Sequence, residues 1–169
     1  MTDRFPPAVA DALIDAGWRP GHRDEERARD WGLRLGTHLS ADQGRHAFFP
    51  AALAVLAEFG GLAYEPDQRS DGPSHDDQQV AASGFVLDPL LALHTVATLS
   101  AFGERIGARL APVGAEGGGA AVLAIDEKGR LFALDHGGEW FLGESIEAAL
   151  GTLILGQRPA RVRADGSWH

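Results

Sequence analysis

Beyond residue 110 the hydrophobic pattern of the chain changes period, and that change constrains the fold more than any other feature. Apolar residues upstream recur at three- and four-residue spacings. From there onward they fall into four short alternating runs, Leu110 to Val113, Ala120 to Ile125, Arg130 to Leu134 and Glu139 to Leu142. Asp126-Glu127-Lys128-Gly129 is a hairpin connection with glycine where positive φ is wanted, and Asp135-His136-Gly137-Gly138 is a second. Four antiparallel strands are expected here. Helices and strands therefore segregate along the sequence, and the class is α+β.

The helical part is marked by its stops and starts. Val9, Leu13 and Ile14 with interleaved acids predict a helix from Pro7 to Ala16, closed by Gly17. Residues Asp24 to Leu39 form a charged helix with Ala28, Trp31 and Leu35 on one face, its charges solvated. A third helix opens at Pro50 and stops at Gly60-Gly61. After a short strand from Gly84 to Leu87, Asp88-Pro89 supplies an N-cap and a first helical residue for a helix reaching about Ile106. Ser145 caps a last helix, ended by Gly156. The tail from Gln157 to His169 admits two readings, an edge strand or a frayed end.

Between these elements, Glu65 to Val80 has almost no apolar residues and reads as a loop. It is also the acidic centre of the chain. From Glu58 to Asp88 there are seven acids and one base, Arg69, a local balance of −6 within a total of −9. Nucleic-acid binding needs a basic face that displaces counterions from phosphates, so this balance opposes it. An acidic surface attracts a basic protein partner instead.

With 169 residues and 44% hydrophobic content, one domain spanning residues 1–169 is expected. Cysteine is absent, which excludes disulfides, thiolate metal sites and a cysteine nucleophile. No apolar run approaches the ~18 residues of a membrane span, and no signal segment opens the chain, so the expectation is a cytoplasmic protein with no membrane partner. Nothing in the sequence specifies a dimer; a monomer or a weak dimer is expected.

No catalytic, cofactor or metal site assembles from motifs. Val113-Gly114-Ala115-Glu116-Gly117-Gly118-Gly119 lacks the following helix of a dinucleotide fingerprint and the Lys-Ser/Thr of a P-loop, and reads as a flexible turn between strands. His75-Asp76-Asp77 is the densest group of possible metal ligands, yet no two histidines stand in a paired ligand spacing, and a solvated loop accounts for it. No Gly-x-Ser-x-Gly elbow is present. The candidate partner-binding residues are therefore Glu65, Asp67, Asp71, Asp76 and Asp77 by charge, with Trp18 and Trp140, which flank turns, as aromatic anchors; burial in the core is the competing role for both tryptophans.

The order of landmarks resembles the third subfamily of the SUKH superfamily of bacterial immunity proteins. It runs from Ala16-Gly17-Trp18 with Gly21 and Arg23, through Trp31, Leu56-Ala57-Glu58-Phe59-Gly60-Gly61-Leu62, Phe85 and Leu87-Asp88-Pro89. It continues with Leu110-Ala111-Pro112-Val113-Gly114, Ile125-Asp126, Gly129-Arg130, Trp140-Phe141-Leu142-Gly143 and Glu147-Ala148-Ala149-Leu150. The resemblance covers about Val9 to Gly156. It implies a curved mixed or antiparallel sheet with helices packed beside it, and neutralisation of a cognate polymorphic toxin, a nuclease or deaminase, encoded nearby. It carries no catalytic residue. Two alternatives stay open: a regulatory interaction domain of the same fold outside toxin systems, and a small hydrolase whose site has no recognisable motif.

Overall fold

The computed structural model describes residues 4–42, 44–67 and 80–169. Three helices come first: α1 (Pro7–Asp15), α2 (Glu25–Thr37) and α3 (Pro50–Phe59). Both α1 and α3 start with proline, whose missing N–H is one that a first helical turn leaves unpaired in any case. In α2, Asp24 accepts a hydrogen bond from the Arg27 N–H at 2.9 Å, and Glu25 and Glu26 sit in the first turn where the helix dipole favours them. The inward residues are those that the spacing selects: Val9 and Leu13 of α1, Ala28 and Leu35 of α2, Leu56 and Phe59 of α3.

The strands β1 (Ala63–Tyr64), β2 (Phe85–Val86), β3 (Leu110–Glu116), β4 (Ala121–Asp126), β5 (Leu131–Asp135), β6 (Gly138–Gly143) and β7 (Ala160–Arg161) form one open, curved sheet. It is antiparallel throughout, and its spatial order is the order of the sequence. Each strand thus pairs with its chain neighbour, through short connections from β3 to β6 and through longer ones at the two edges, where helices intervene between β2 and β3 and between β6 and β7. Bulges lie between Pro112 and Gly114 and between Leu131 and Phe132. The four-strand region read from the sequence is present, with β3 longer than expected: the glycine-rich run continues the strand to Glu116 before Gly117–Gly119 turn the chain in a short 3₁₀ helix.

Both faces of the sheet are covered. One carries Ala111, Val113, Leu123, Ile125, Leu131 and Ala133 against α1, α3 and α5 (Ile146–Leu155). The other carries Leu110, Ala124, Phe132 and Leu134 against Leu99 and Phe102 of α4 (Val96–Ile106) and against Val162 and Trp168 of the tail. Hence Leu131 to Leu134 are all buried, although simple alternation would expose every second one.

The helix expected from Pro89 to Ile106 is two pieces, a 3₁₀ helix over Pro89–Thr95 and then α4. Ala92 lies outside helical dihedrals at φ −120° and ψ 22°. The tail is an edge strand, β7, followed by a return that places Trp168 flat on Phe141, with ring centroids 4.8 Å apart.

Two glycines of the landmark series are fixed by close approach. A Cβ on Gly60 would fall 2.3 Å from the Leu56 carbonyl and 2.5 Å from the Trp31 ring. One on Gly114 would fall 2.1 Å from the Val86 carbonyl. Glycine lets helix α2 pack against the end of α3, and β2 against the β3 bulge.

Candidate functional site

The structure separates the nominated residues. Trp18 is 6% exposed, edge-on to Phe5 at 5.3 Å and stacked with Phe59 at 5.9 Å. It closes the core between α1 and α3, and burial removes it from the set of surface anchors. Trp140 is half-buried on β6, opposite Ala133 in register, with the Arg161 guanidinium 5.3 Å above its ring. Glu65 and Asp67 are exposed just after β1. Asp71, Asp76 and Asp77 lie outside the described residues, as does His75.

Glu65 and Trp140 open on different faces of the sheet. Glu65 lines a small hollow of about 220 Å³ with Val86, Leu91, His94 and Val122. Trp140 lines a larger cleft of about 480 Å³ on the side of α5. Its apolar floor is Ala133, Leu142 and Leu153, and its charged lining is Glu116, Asp135, Arg158 and Arg161. The chain leading from the acidic stretch reaches this cleft directly. Val80 N–H donates to the Gly156 carbonyl at 2.6 Å and Ser83 N–H to the Leu153 carbonyl at 3.0 Å, so residues 80–83 run along the end of α5 and form a wall.

Register explains how these side chains converge. Glu116 pairs with Ala121 on β4, and Asp135 pairs with Gly138 on β6. Ala133, Asp135, Leu142 and Trp140 then share the face toward α5. Asp135 closes the β5–β6 turn by accepting the N–H groups of Gly137 and Gly138 at 2.7 and 3.1 Å. Arg161 reaches the same turn from β7, donating to the Gly137 carbonyl at 2.7 Å. Burial pushes the Glu116 carboxyl above its usual pKa and the nearby Asp135 charge adds to this, while a hydrogen bond from Ser83 opposes both.

Sequence reasoning found Trp140 and missed Glu116, Asp135 and Arg161. The hairpin register that sets Asp135 near Trp140 was readable from the turn. Glu116 falls in the glycine-rich run that reads as a turn, and only the extension of β3, two strands away from β5, brings it to the cleft. Among the described residues, no group of three or more histidines or carboxylates could hold a metal ion. Nor does any helix among them have the length and apolarity to cross a membrane.

The family model for SUKH-3 immunity proteins matches residues 5–156, from the start of α1 through α5. The chain belongs to the SUKH-3 immunity protein family. The matched span includes every strand except β7. The Trp140 cleft crosses its boundary: the floor, Glu116 and Asp135 lie within the match, whereas Arg158 and Arg161 lie beyond it. No match was found among curated proteins or among solved structures.

Proposed function

We propose that this SUKH-3 chain is a cytoplasmic immunity protein that binds a cognate toxin encoded nearby and blocks it. The observation that carries this reading is the family match over residues 5–156. The chemistry of the chain supports it. A toxin that cleaves or deaminates nucleic acid must present a basic cleft to its substrate, and an acidic protein occupies such a cleft by charge complementarity. The −6 segment from Glu58 to Asp88 is the part of the chain best suited to this, with Glu65, Asp67, Asp71, Asp76 and Asp77 as contacts and Trp140 as the aromatic anchor. Inhibition then needs no catalysis by the immunity protein. It works by excluding substrate, and its strength follows from complex lifetime.

The test is coexpression with the C-terminal domain of a toxin encoded beside this gene, scored by growth and by copurification. Rescue together with a stable complex is expected. Growth arrest with no complex would remove the assignment for that pair.

A further inference from the structure

The sheet face that carries α4 is not covered as far as β1. Register sets Ala63 opposite Val86, Val86 opposite Ala115 and Ala115 opposite Val122, so an apolar row crosses four strands on this face. Among the described residues, Val86, Ala115 and Val122 pack into neither core; α4 and the tail cover Leu110, Ala124 and Phe132 instead. Those three residues of the row line the hollow of about 220 Å³. Leu91 lines it as well and is 50% exposed, while Val86 and Val122 are half-buried. An apolar hollow that the chain itself leaves wet gains free energy when an apolar group fills it.

The two edges of the sheet differ in charge. Strand β1 runs into Glu65 and Asp67, within the −6 segment, and Glu65 itself lines the hollow. The tail that bears β7 has three arginines, Arg158, Arg161 and Arg163, against one acid, Asp165. A basic surface is therefore drawn to the β1 edge and repelled from the β7 edge. A second copy paired on the same edge by two-fold symmetry would bring like charge to like.

Resting on the immunity reading, we infer that the toxin docks at the β1 edge and seats an apolar side chain, flanked by basic residues, in the hollow between Val86, Leu91 and Val122. The hollow has room for one large apolar side chain. Charge at this edge sets how fast the partner arrives, and the filled hollow sets how long it stays. An apolar anchor in a small pocket is the arrangement in which few residues dominate an interface.

Two measurements test it. The first compares dissociation of the purified toxin domain from the wild type, from the pair Leu91→Gln and Val122→Thr, and from a control pair, Leu33→Gln and Leu39→Thr, which changes exposed apolar residues on and just after α2. All four substitutions leave net charge unchanged. The hollow pair is expected to weaken binding by about tenfold or more, through faster dissociation, and the control pair by less than about twofold. Near-ultraviolet circular dichroism checks that both pairs fold. The second measurement uses the wild type alone, deuterated and methyl-labelled, in complex with unlabelled toxin domain. Saturation should pass from the toxin to the methyls of Val86, Leu91 and Val122 and not to those of Leu33 and Leu39, a result that stands even where the hollow pair does not fold.

If the folded hollow pair binds as tightly as the wild type while both rescue growth, the hollow is wrong and the immunity reading stands. Saturation that misses Val86, Leu91 and Val122 in a complex that forms likewise overturns it. A wild type whose sedimentation shows dimers that Leu91→Gln abolishes would assign the hollow to a second copy and overturn the toxin as its occupant. A wild type that neither binds nor rescues overturns the immunity reading itself.

Discussion

His46 sits where the helix after Asp88 breaks. It is 7% exposed, and its Nε2 lies 2.9 Å from the Leu93 carbonyl, an acceptor within the 3₁₀ turn. A neutral ring donating through Nε2 satisfies that carbonyl. Burial pushes the imidazole below its usual value of 6.5; the Leu93 bond opposes this, and the nearby charges of His38 and His94 reinforce it. The unfolded chain therefore binds the extra proton first as pH falls. The stability held by neutral His46 is complete above about pH 6.5 and is lost below it. In His46→Gln, which keeps a donor for Leu93, the melting temperature should fall less between pH 7.5 and 5.5 than in the wild type. Equal slopes would show that His46 is not the titrating group. Glu116 has the opposite linkage: its folded pKa is raised above the usual 4.5, so the native state holds its proton longer and ionisation above that range destabilises the fold. Glu116→Gln should melt higher than the wild type at pH 7, with the gap closing near pH 4. Such a gain would mark Glu116 as a residue that costs stability where it stands, as a binding group can.

Elements repeat the lesson with longer reach. The second face of β5 and β6 is roofed by the tail, where Trp168 stacks on Phe141, meets Phe132 edge-on at 5.5 Å and lies beneath the Arg130 guanidinium at 4.9 Å. Arg130 is itself tied to the fully buried Asp126 at 2.6 Å. Replacing Trp168 by Ala removes this roof and leaves Phe141 in water, with an expected loss of about 2 kcal/mol in urea denaturation. An unchanged midpoint would mean that the tail does not hold the sheet. Helices α1, α2 and α3, the two hairpins and the Ser145 cap were legible in the sequence because their signals are local: a proline start, a glycine stop, an Asp or Ser at the cap. The break at Ala92, the two-residue strand β1 and the docking of Trp168 were not, since each is decided by a partner far along the chain. The candidate site divides in the same way. Trp140 beside its turn could be seen, whereas Trp18 looked equally open until Phe5 and Phe59 closed over it, and Glu116 needed the whole meander to reach the cleft.

At the scale of the molecule, charge is unevenly spread, with −6 of the total −9 between Glu58 and Asp88. Eight of the fourteen arginines are paired with carboxylates in the described structure: Arg4, Arg23, Arg27, Arg29, Arg34, Arg105, Arg109 and Arg130. Local pairing of this kind cancels field at a distance, so the acidic stretch dominates what an approaching partner experiences. Steering acts over roughly a Debye length, about 10 Å at 0.1 M salt, and depends on net charge more than on exact side-chain geometry. Asp76 and Asp77 therefore contribute to steering through their charge alone. Changing both to Lys shifts the net charge of the segment by +4, from −6 to −2. The association rate with the toxin at low salt should fall about tenfold, and its dependence on salt should flatten. Stopped-flow association across a salt series separates the possibilities. A loss confined to dissociation would place Asp76 and Asp77 inside the contact, and unchanged kinetics would take the loop out of recognition.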